Sequence, residues 1–210
     1  MKNIIIIGGG GHAKVIISMI KKIQTLNLLG YTDLNNNGDI LGVKYLGSDD
    51  IIETYDTNIK LVLGIGQIKN VVQRKRIVKT FLKKGYDFEY IISPDAIINE
   101  DVIIQPGSVI MDNAVIQSGT KIGQYCIINT NASIDHDCII NDFTHIAPGT
   151  TVCGSVAIGK ECLIGAGSTI INNMTIGDHC IIGAGSTVIK SIGDHRVFYG
   201  MKSQKNGNDS

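Results

Sequence analysis

From Ile92 to Val188 every sixth residue is isoleucine or valine, an unbroken series in which only Val152 and Val188 are not isoleucine. An α-helix repeats its apolar face every 3.6 residues and a lone strand every two. Neither keeps a six-residue register over so long a stretch, whereas a solenoid of hexapeptide repeats does. Two positions before each aliphatic site the side chain is mostly small, as at Ala96, Ser108, Ala114, Thr120, Cys126, Ala132 and Cys138. Large and small side chains recurring together suit an interior of stacked layers. The pattern predicts a parallel β-helix over residues 91–200.

The first ninety residues obey a different rule. "NIIII" at 3–7 reads as a buried strand, the run Gly8 to Gly11 as a turn, and "HAKVIISMIKKI" as a helix. "LLGYTD" gives a second strand ending at Asp33, and "LNNNGD" is too polar and turn-rich to be other than a loop. "KLVLGIG" reads as a third strand, "IKNVVQRKRIVKTFLKKG" as a helix closed by Gly85, and "FEYII" as a fourth strand. Strands alternating with helices predict a small parallel sheet. The expected organisation is an α/β Rossmann-like domain over 1–90, the β-helix over 91–200 and a short tail over 201–210.

Composition narrows the function. Lys plus Arg and Asp plus Glu stand at 19 each, which leaves no basic footprint for nucleic acid and no polybasic arm for a membrane surface. The four isoleucines near the start are too few for a signal-peptide core or a membrane span, so a cytoplasmic protein is expected. No Trp and 25 glycines suit aliphatic layers better than an aromatic core. The five cysteines are odd in number and form no CxxC pair. Four of them (Cys126, Cys138, Cys162 and Cys180) fall in the small-residue column and read as packing; only Cys153 lies off it. No His, Cys or carboxylate set has metal-ligand spacing, so no metal is expected.

The segments "IGKECLIGAGSTI" and "IGDHCIIGAGSTVI" resemble the hexapeptide-repeat acyltransferases, whose repeats wind a left-handed β-helix with three hexads to each triangular coil. With the glycine-rich α/β half included, the whole chain is similar to the sialic acid O-acetyltransferase family of sugar acyltransferases. Within it, the likeness is greatest to N-acetyltransferases acting on nucleotide-linked 4-amino-4,6-dideoxy sugars in surface polysaccharide or glycan biosynthesis. The resemblance implies acetyl-CoA as co-substrate, a nucleotide-linked amino sugar as partner, and a homotrimer with sites between subunits.

Three hexads to a coil stack residues 18 apart at about one strand spacing, ~4.8 Å. His136, at a turn between Asp135 and Asp137, then stacks on Ser118 and Gly154, while Pro148, Ala166 and Ala184 share another corner. The resemblance makes His136 the general base and Asp137 the acid that orients it, although the family commonly has Glu there. Neutral imidazole near its ordinary pKa of ~6.5 accepts the proton of an attacking amine, and a carboxylate fixes its tautomer. Gly154, with no side chain to block approach, is the candidate N–H donor to the thioester oxyanion. His145 is either a polar neighbour of inward Ile146 or, by resemblance, a contact to the acyl group or pantetheine arm. Asn129 would then support the acceptor, and Ala166 and Ala184 would offer backbone groups to the pantetheine. His179 and His195, in "GDHC" and "GDHR", read as solvated surface. The family's terminal Pro-Ala-Lys is missing after Gly200, which leaves Lys202 or Lys205 for a CoA phosphate.

Gly8-x-Gly10-x-x-Ala13 after a strand, with Asp33 ending the next, also satisfies the context of a dinucleotide-binding fingerprint. A nicotinamide oxidoreductase is therefore a rival, weakened because ninety residues leave no room for its catalytic domain. By resemblance, Gly10, His12 and Lys14 would line the acceptor's diphosphate, and Asp33 with Gly64, Ile65 and Gly66 its nucleoside. Lys14 also reads as an ordinary exposed helix residue. The best reading is an acetyl-CoA-dependent N-acetyltransferase using direct attack. O-acetylation of a sialic acid or other sugar, and a non-catalytic nucleotide-sugar sensor, are the alternatives.

Overall fold

The computed structural model describes residues 1–67 and 71–200. Five parallel strands come first: β1 (Lys2–Ile7), β2 (Leu26–Thr32), β3 (Tyr45–Gly47), β4 (Lys60–Leu63) and β5 (Asp87–Phe88), in the order β3-β2-β1-β4-β5. Helix α1 (Gly11–Ile20) follows β1 and α2 (Val72–Lys83) precedes β5. The four isoleucines of β1 serve both faces. Ile4 and Ile6 join the cluster around α1, while Ile5 and Ile7 join the cluster around α2. A central parallel strand reads as a continuous apolar run for that reason.

Two sequence expectations shift. The helix expected from residue 68 is observed from Val72, and residues 68–70 lie outside the described residues. "FEYII" is two strands. Glu89 N–H still donates to Leu61 O of the sheet (3.0 Å), whereas Ile91 N–H donates to Ser108 O of the β-helix (2.9 Å), so the chain changes partner within three residues. The strand β3 and a 3-10 helix at Asp49–Thr54 have no counterpart in the apolar pattern, being short and mixed in polarity.

The rest winds as a left-handed β-helix of two-residue strands on three parallel faces. Face one stacks strands beginning at Ile91, Val109, Ile127, His145, Leu163, Ile181 and Val197. Face two stacks those at Ile97, Val115, Ser133, Thr151, Thr169 and Thr187; face three, those at Ile103, Lys121, Ile139, Ala157 and Thr175. The second residue of each strand points inward, and from Ile110 to Val188 this column is essentially inaccessible to solvent. Burying each such side chain contributes about 1.5–3 kcal/mol. Six residues is also the period of the corners: Asp101, Asn113, Gly119, Tyr125, Asn131, Asp137, Phe143 and Gly149 all have φ between +56° and +77°. From Asn113 onward most of these amides donate to the previous coil, as Asp137 N–H does to Ser118 O (3.1 Å).

The α/β sheet docks on face one and on the edge joining faces three and one. Ile16, Ile17 and Met19 of α1 share a cluster with outward Ile91, Val109 and Ile127. On the other side Phe88 meets Tyr125 edge-on (5.5 Å between centroids), and Tyr125 stacks on Phe143 one coil later (4.8 Å).

Candidate active site

His136 lies on the edge between faces two and three, with its side chain 55% exposed. Its Nδ1 is 2.8 Å from Asp137 Oδ2, and its main-chain N–H donates to Asp135 Oδ1 (2.9 Å). The carboxylate accepts, so Nδ1 carries the proton and Nε2 of the neutral ring keeps a free lone pair. The hydrogen bond to Asp137, with the nearby charges of Asp135 and Asp137, raises the His136 pKa above its ordinary value. Gly154 stacks directly on the ring. A Cβ there would sit 2.6 Å from His136 Nε2, so only glycine lets the imidazole lie against this corner. The Gly154 N–H engages no acceptor among the described residues.

His145 stands on face one, beneath the α/β domain. Its Nδ1 is 2.8 Å from Gln67 O and its Nε2 is 3.1 Å from Asn129 Nδ2; Asn129 Oδ1 accepts from Thr130 N–H (2.8 Å). Burial lowers the His145 pKa, the bond to Gln67 opposes this, and the Arg74 charge adds to the lowering. Arg74 is itself buried with a guanidinium that donates to Ile65 O and to Tyr125 O (2.8 Å), while its Nε has no partner. Burial brings the Arg74 pKa down to about 10.

A cleft of about 540 Å³ opens between β1, β4 and the starts of both helices. It brings together six residues singled out from the sequence, Gly10, His12, Asp33, Gly64, Ile65 and Gly66, and adds Asp49, Gln73 and Arg76. Gly8 has φ +105°, and a Cβ on it would lie 2.8 Å from the Ile65 side chain, which accounts for glycine where β1 and β4 converge. Asp33 organises this mouth: its carboxylate accepts from Gly9 N–H (2.6 Å) and Asn35 N–H (3.1 Å). The first amides of α1, left without intrahelical partners, face an anion well. Burial, then the charges of Arg74 and His145, push the His12 pKa down to about 3, and its Nε2 is buried without a partner. His12 is therefore neutral at any working pH.

Lys14 is not in this cleft; it is exposed beside a smaller depression with Asn37 and Asp39. Ala166 and Ala184 are exposed on the edge between faces one and two, where the following Gly167 and Gly185 are open around the Cβ position. The Ala166 carbonyl is already used, accepting from Gly185 N–H (2.8 Å), which leaves its amide for a ligand. Small residues along an open edge fit an extended pantetheine arm. His179 and His195 are stacked on each other (4.6 Å, 12°) rather than separately solvated. Lys202 and Lys205 lie outside the described residues. The structure does not bring His136 together with His145, which occupy a different edge and face of the prism. Gln67 and Arg74 were missed by sequence reasoning, because one polar residue after a glycine turn and one arginine in a cationic helix carry no local signal. Burial pushes the Cys126 and Cys162 thiols up to about 12, as unreactive core groups require. Among the described residues no three His, Cys, Asp or Glu side chains cluster as metal ligands, and no helix is long and apolar enough to cross a membrane.

Residues 3–81 match the family described as PglD N-terminal domain, and residues 119–154 and 155–190 each match the bacterial transferase hexapeptide family of six repeats. No curated protein matches the chain. Among solved structures, the acetyltransferase domain of PglB from Neisseria gonorrhoeae, in complex with acetyl coenzyme A, is similar at 30% identity and a TM-score of 0.89, covering 95% of this chain and 96% of that one. A variant of perosamine N-acetyltransferase from Caulobacter crescentus, in complex with CoA and GDP-perosamine, is similar at 28% identity and a TM-score of 0.87, covering 95% and 94%. WeeI from Acinetobacter baumannii is similar at 25% identity and a TM-score of 0.85, covering 95% and 97%.

Proposed function

Since the chain belongs to the left-handed β-helix family of nucleotide-sugar N-acetyltransferases, we propose that it acetylates the amine of a nucleotide-linked 4-amino-4,6-dideoxy sugar, with His136 as general base. It is an acetyl-CoA-dependent enzyme, and the finer reading concerns its acceptor and its chemistry. The observation that carries the chemistry is the His136–Asp137 contact at 2.8 Å with Nε2 held against Gly154.

The amine attacks the thioester carbonyl directly. His136 Nε2 removes its proton, Asp137 holds the ring and favours the imidazolium, and the Gly154 N–H donates to the developing oxyanion. The imidazolium then returns the proton to the departing sulfur. The nucleotide cleft belongs to the α/β domain on face one, while His136 projects from the opposite edge of the prism. A site between subunits of a homotrimer reconciles the two, with His136 of one copy reaching the cleft of the next. Exposed Ile103 (46%) and Ile139 (45%) on face three, beside His136, supply an apolar surface for such packing. Arg76 and the α1 amides would take the diphosphate, with His12 at the wall of the cleft. A cytoplasmic location and a role in surface polysaccharide or glycan assembly accompany this reading.

Acetyl-CoA consumption with dTDP-, UDP- and GDP-linked 4-amino-4,6-dideoxy sugars and with free sialic acid, each run beside His136→Ala, tests it. Turnover of one amino sugar that falls by about 10²–10⁴-fold in the variant is expected. Turnover of sialic acid alone would make the enzyme an O-acetyltransferase, and a folded His136→Ala with wild-type turnover would remove His136 from the mechanism.

A further inference from the structure

The imidazole of His145 has both nitrogens committed. Gln67 O can only accept, so Nδ1 carries the hydrogen of the neutral ring, and Nε2 must then accept from Asn129 Nδ2. The Asn129 amide is oriented from its other end as well, because its Oδ1 accepts from Thr130 N–H. His145 thus has no N–H left for a substrate oxygen, whereas Asn129 retains one. Gln67 grips the same place twice. Its carbonyl sets the His145 tautomer, and its Nε2 donates to Cys162 O (3.3 Å), the carbonyl that also accepts the main-chain N–H of His145 (2.9 Å). Gln67 is 3% exposed and its Oε1 is buried without a partner, so the side chain is held in place at a cost. It directly follows Gly64, Ile65 and Gly66, which line the nucleotide cleft, and Arg74 pins that segment through Ile65 O.

We propose that Gln67 is a positioning residue which, through His145, aims the remaining N–H of Asn129 at the reacting groups and couples occupancy of the nucleotide cleft to that aim. The proposal rests on the transferase reading for what Asn129 meets, but not for the relay itself. A nucleotide pressing on the Gly64–Gly66 segment moves the Gln67 carbonyl, and His145 follows because a carbonyl of the adjoining domain is the sole acceptor for its ring hydrogen. Asn129 is then best aimed only when an acceptor is in place.

The test separates relay from reaction. Imidazole ¹³C and ¹⁵N shifts of the full-length protein should show His145 as the Nδ1–H tautomer at neutral pH, and saturating UDP, GDP or dTDP should shift its resonances in the wild type. Gln67→Ala keeps the main-chain carbonyl but loses the side-chain anchor on Cys162 O, so the response to nucleotide should shrink at least severalfold. Kinetically, Gln67→Ala and Asn129→Ala should each lower kcat by at least tenfold at saturating acceptor with little change in KM for acetyl-CoA. The double variant should be no slower than Asn129→Ala alone, which loss of fold stability would not produce. An Nε2–H tautomer in the wild type, resonances indifferent to all three nucleotides, or additive losses in the double variant would overturn the relay. A wild-type protein that transfers acetyl to no sugar, yet shows the tautomer and its nucleotide response, would instead overturn the transferase reading and leave the relay standing.

Discussion

At His136 two adjacent residues make a chemical unit, since Asp137 needs only a left-handed corner (φ +57°) to place its carboxylate on the neighbouring ring. Asp137 is the main cause of the raised His136 pKa, and the proposed base must be neutral to act, so kcat/KM should fall as pH drops through that raised value. In Asp137→Asn the acid limb of the kcat/KM profile should move to lower pH while the plateau drops at least tenfold, both read from a pH–rate series. Gly154→Ala keeps the main-chain N–H but puts a methyl 2.6 Å from Nε2. It should therefore cost about 10²-fold in kcat through displacement of the His136 ring, with the melting temperature nearly unchanged because that side chain is 55% exposed and free to move aside. His12 works the other way. Its folded pKa, lowered to about 3, lies below the unfolded value of ~6.5, so the unfolded chain binds more protons between these limits. His12 stabilises fully above the upper limit and progressively less towards the lower one. Thermal unfolding from pH 7 to 5 should show a drop that is reduced in His12→Gln.

The element scale is where the sequence is most readable. One six-residue period sets both the inward aliphatic column and the left-handed corners, so Ile134, Ile140 and Ile146 could be assigned to the interior before any coordinates. Neighbouring isoleucines separate the two sides of a strand. Ile140 is 1% exposed and Ile139 is 45% exposed. Ile140→Ala should cost about 2–5 kcal/mol in denaturant unfolding, the range for deleting buried methyl groups in a close-packed core. Ile139→Asp should leave the coil intact but dissociate the proposed trimer and lose activity with it, as sedimentation beside the acetylation assay would show. The glycine turn was equally legible, because β1, its glycines and α1 are contiguous in the chain. The exchange of partners at Glu89–Ile91 was not, since both strands of "FEYII" are apolar and nothing local says which sheet each will join.

Across the whole molecule, the α/β domain and the β-helix are held by contacts between residues far apart in the chain. Arg74 reaches Tyr125 O across 51 positions, Lys75 meets Glu161 (2.6 Å), and Lys22 meets Asp95 (2.6 Å). The exposed ion pairs contribute little, whereas Arg74→Ala strands two carbonyls at the junction. The six cleft residues come together because they share an origin at the strand ends of one parallel sheet, where ligands of such sheets bind.

Sequence by itself determined the solenoid, the parallel α/β sheet before it, the pairing of His136 with Asp137 and the glycine-lined cleft, because each rests on a short period or on neighbours in the chain. Only the tertiary structure decided that His145 lies beneath the α/β domain and that Gln67 and Arg74 join the two halves. Those outcomes depend on how the sheet docks against face one, a choice made by the fit of Ile16, Ile17 and Met19 to Ile91, Val109 and Ile127 and of Phe88 to Tyr125. Shape complementarity between distant surfaces leaves no repeat or motif in the chain to be read.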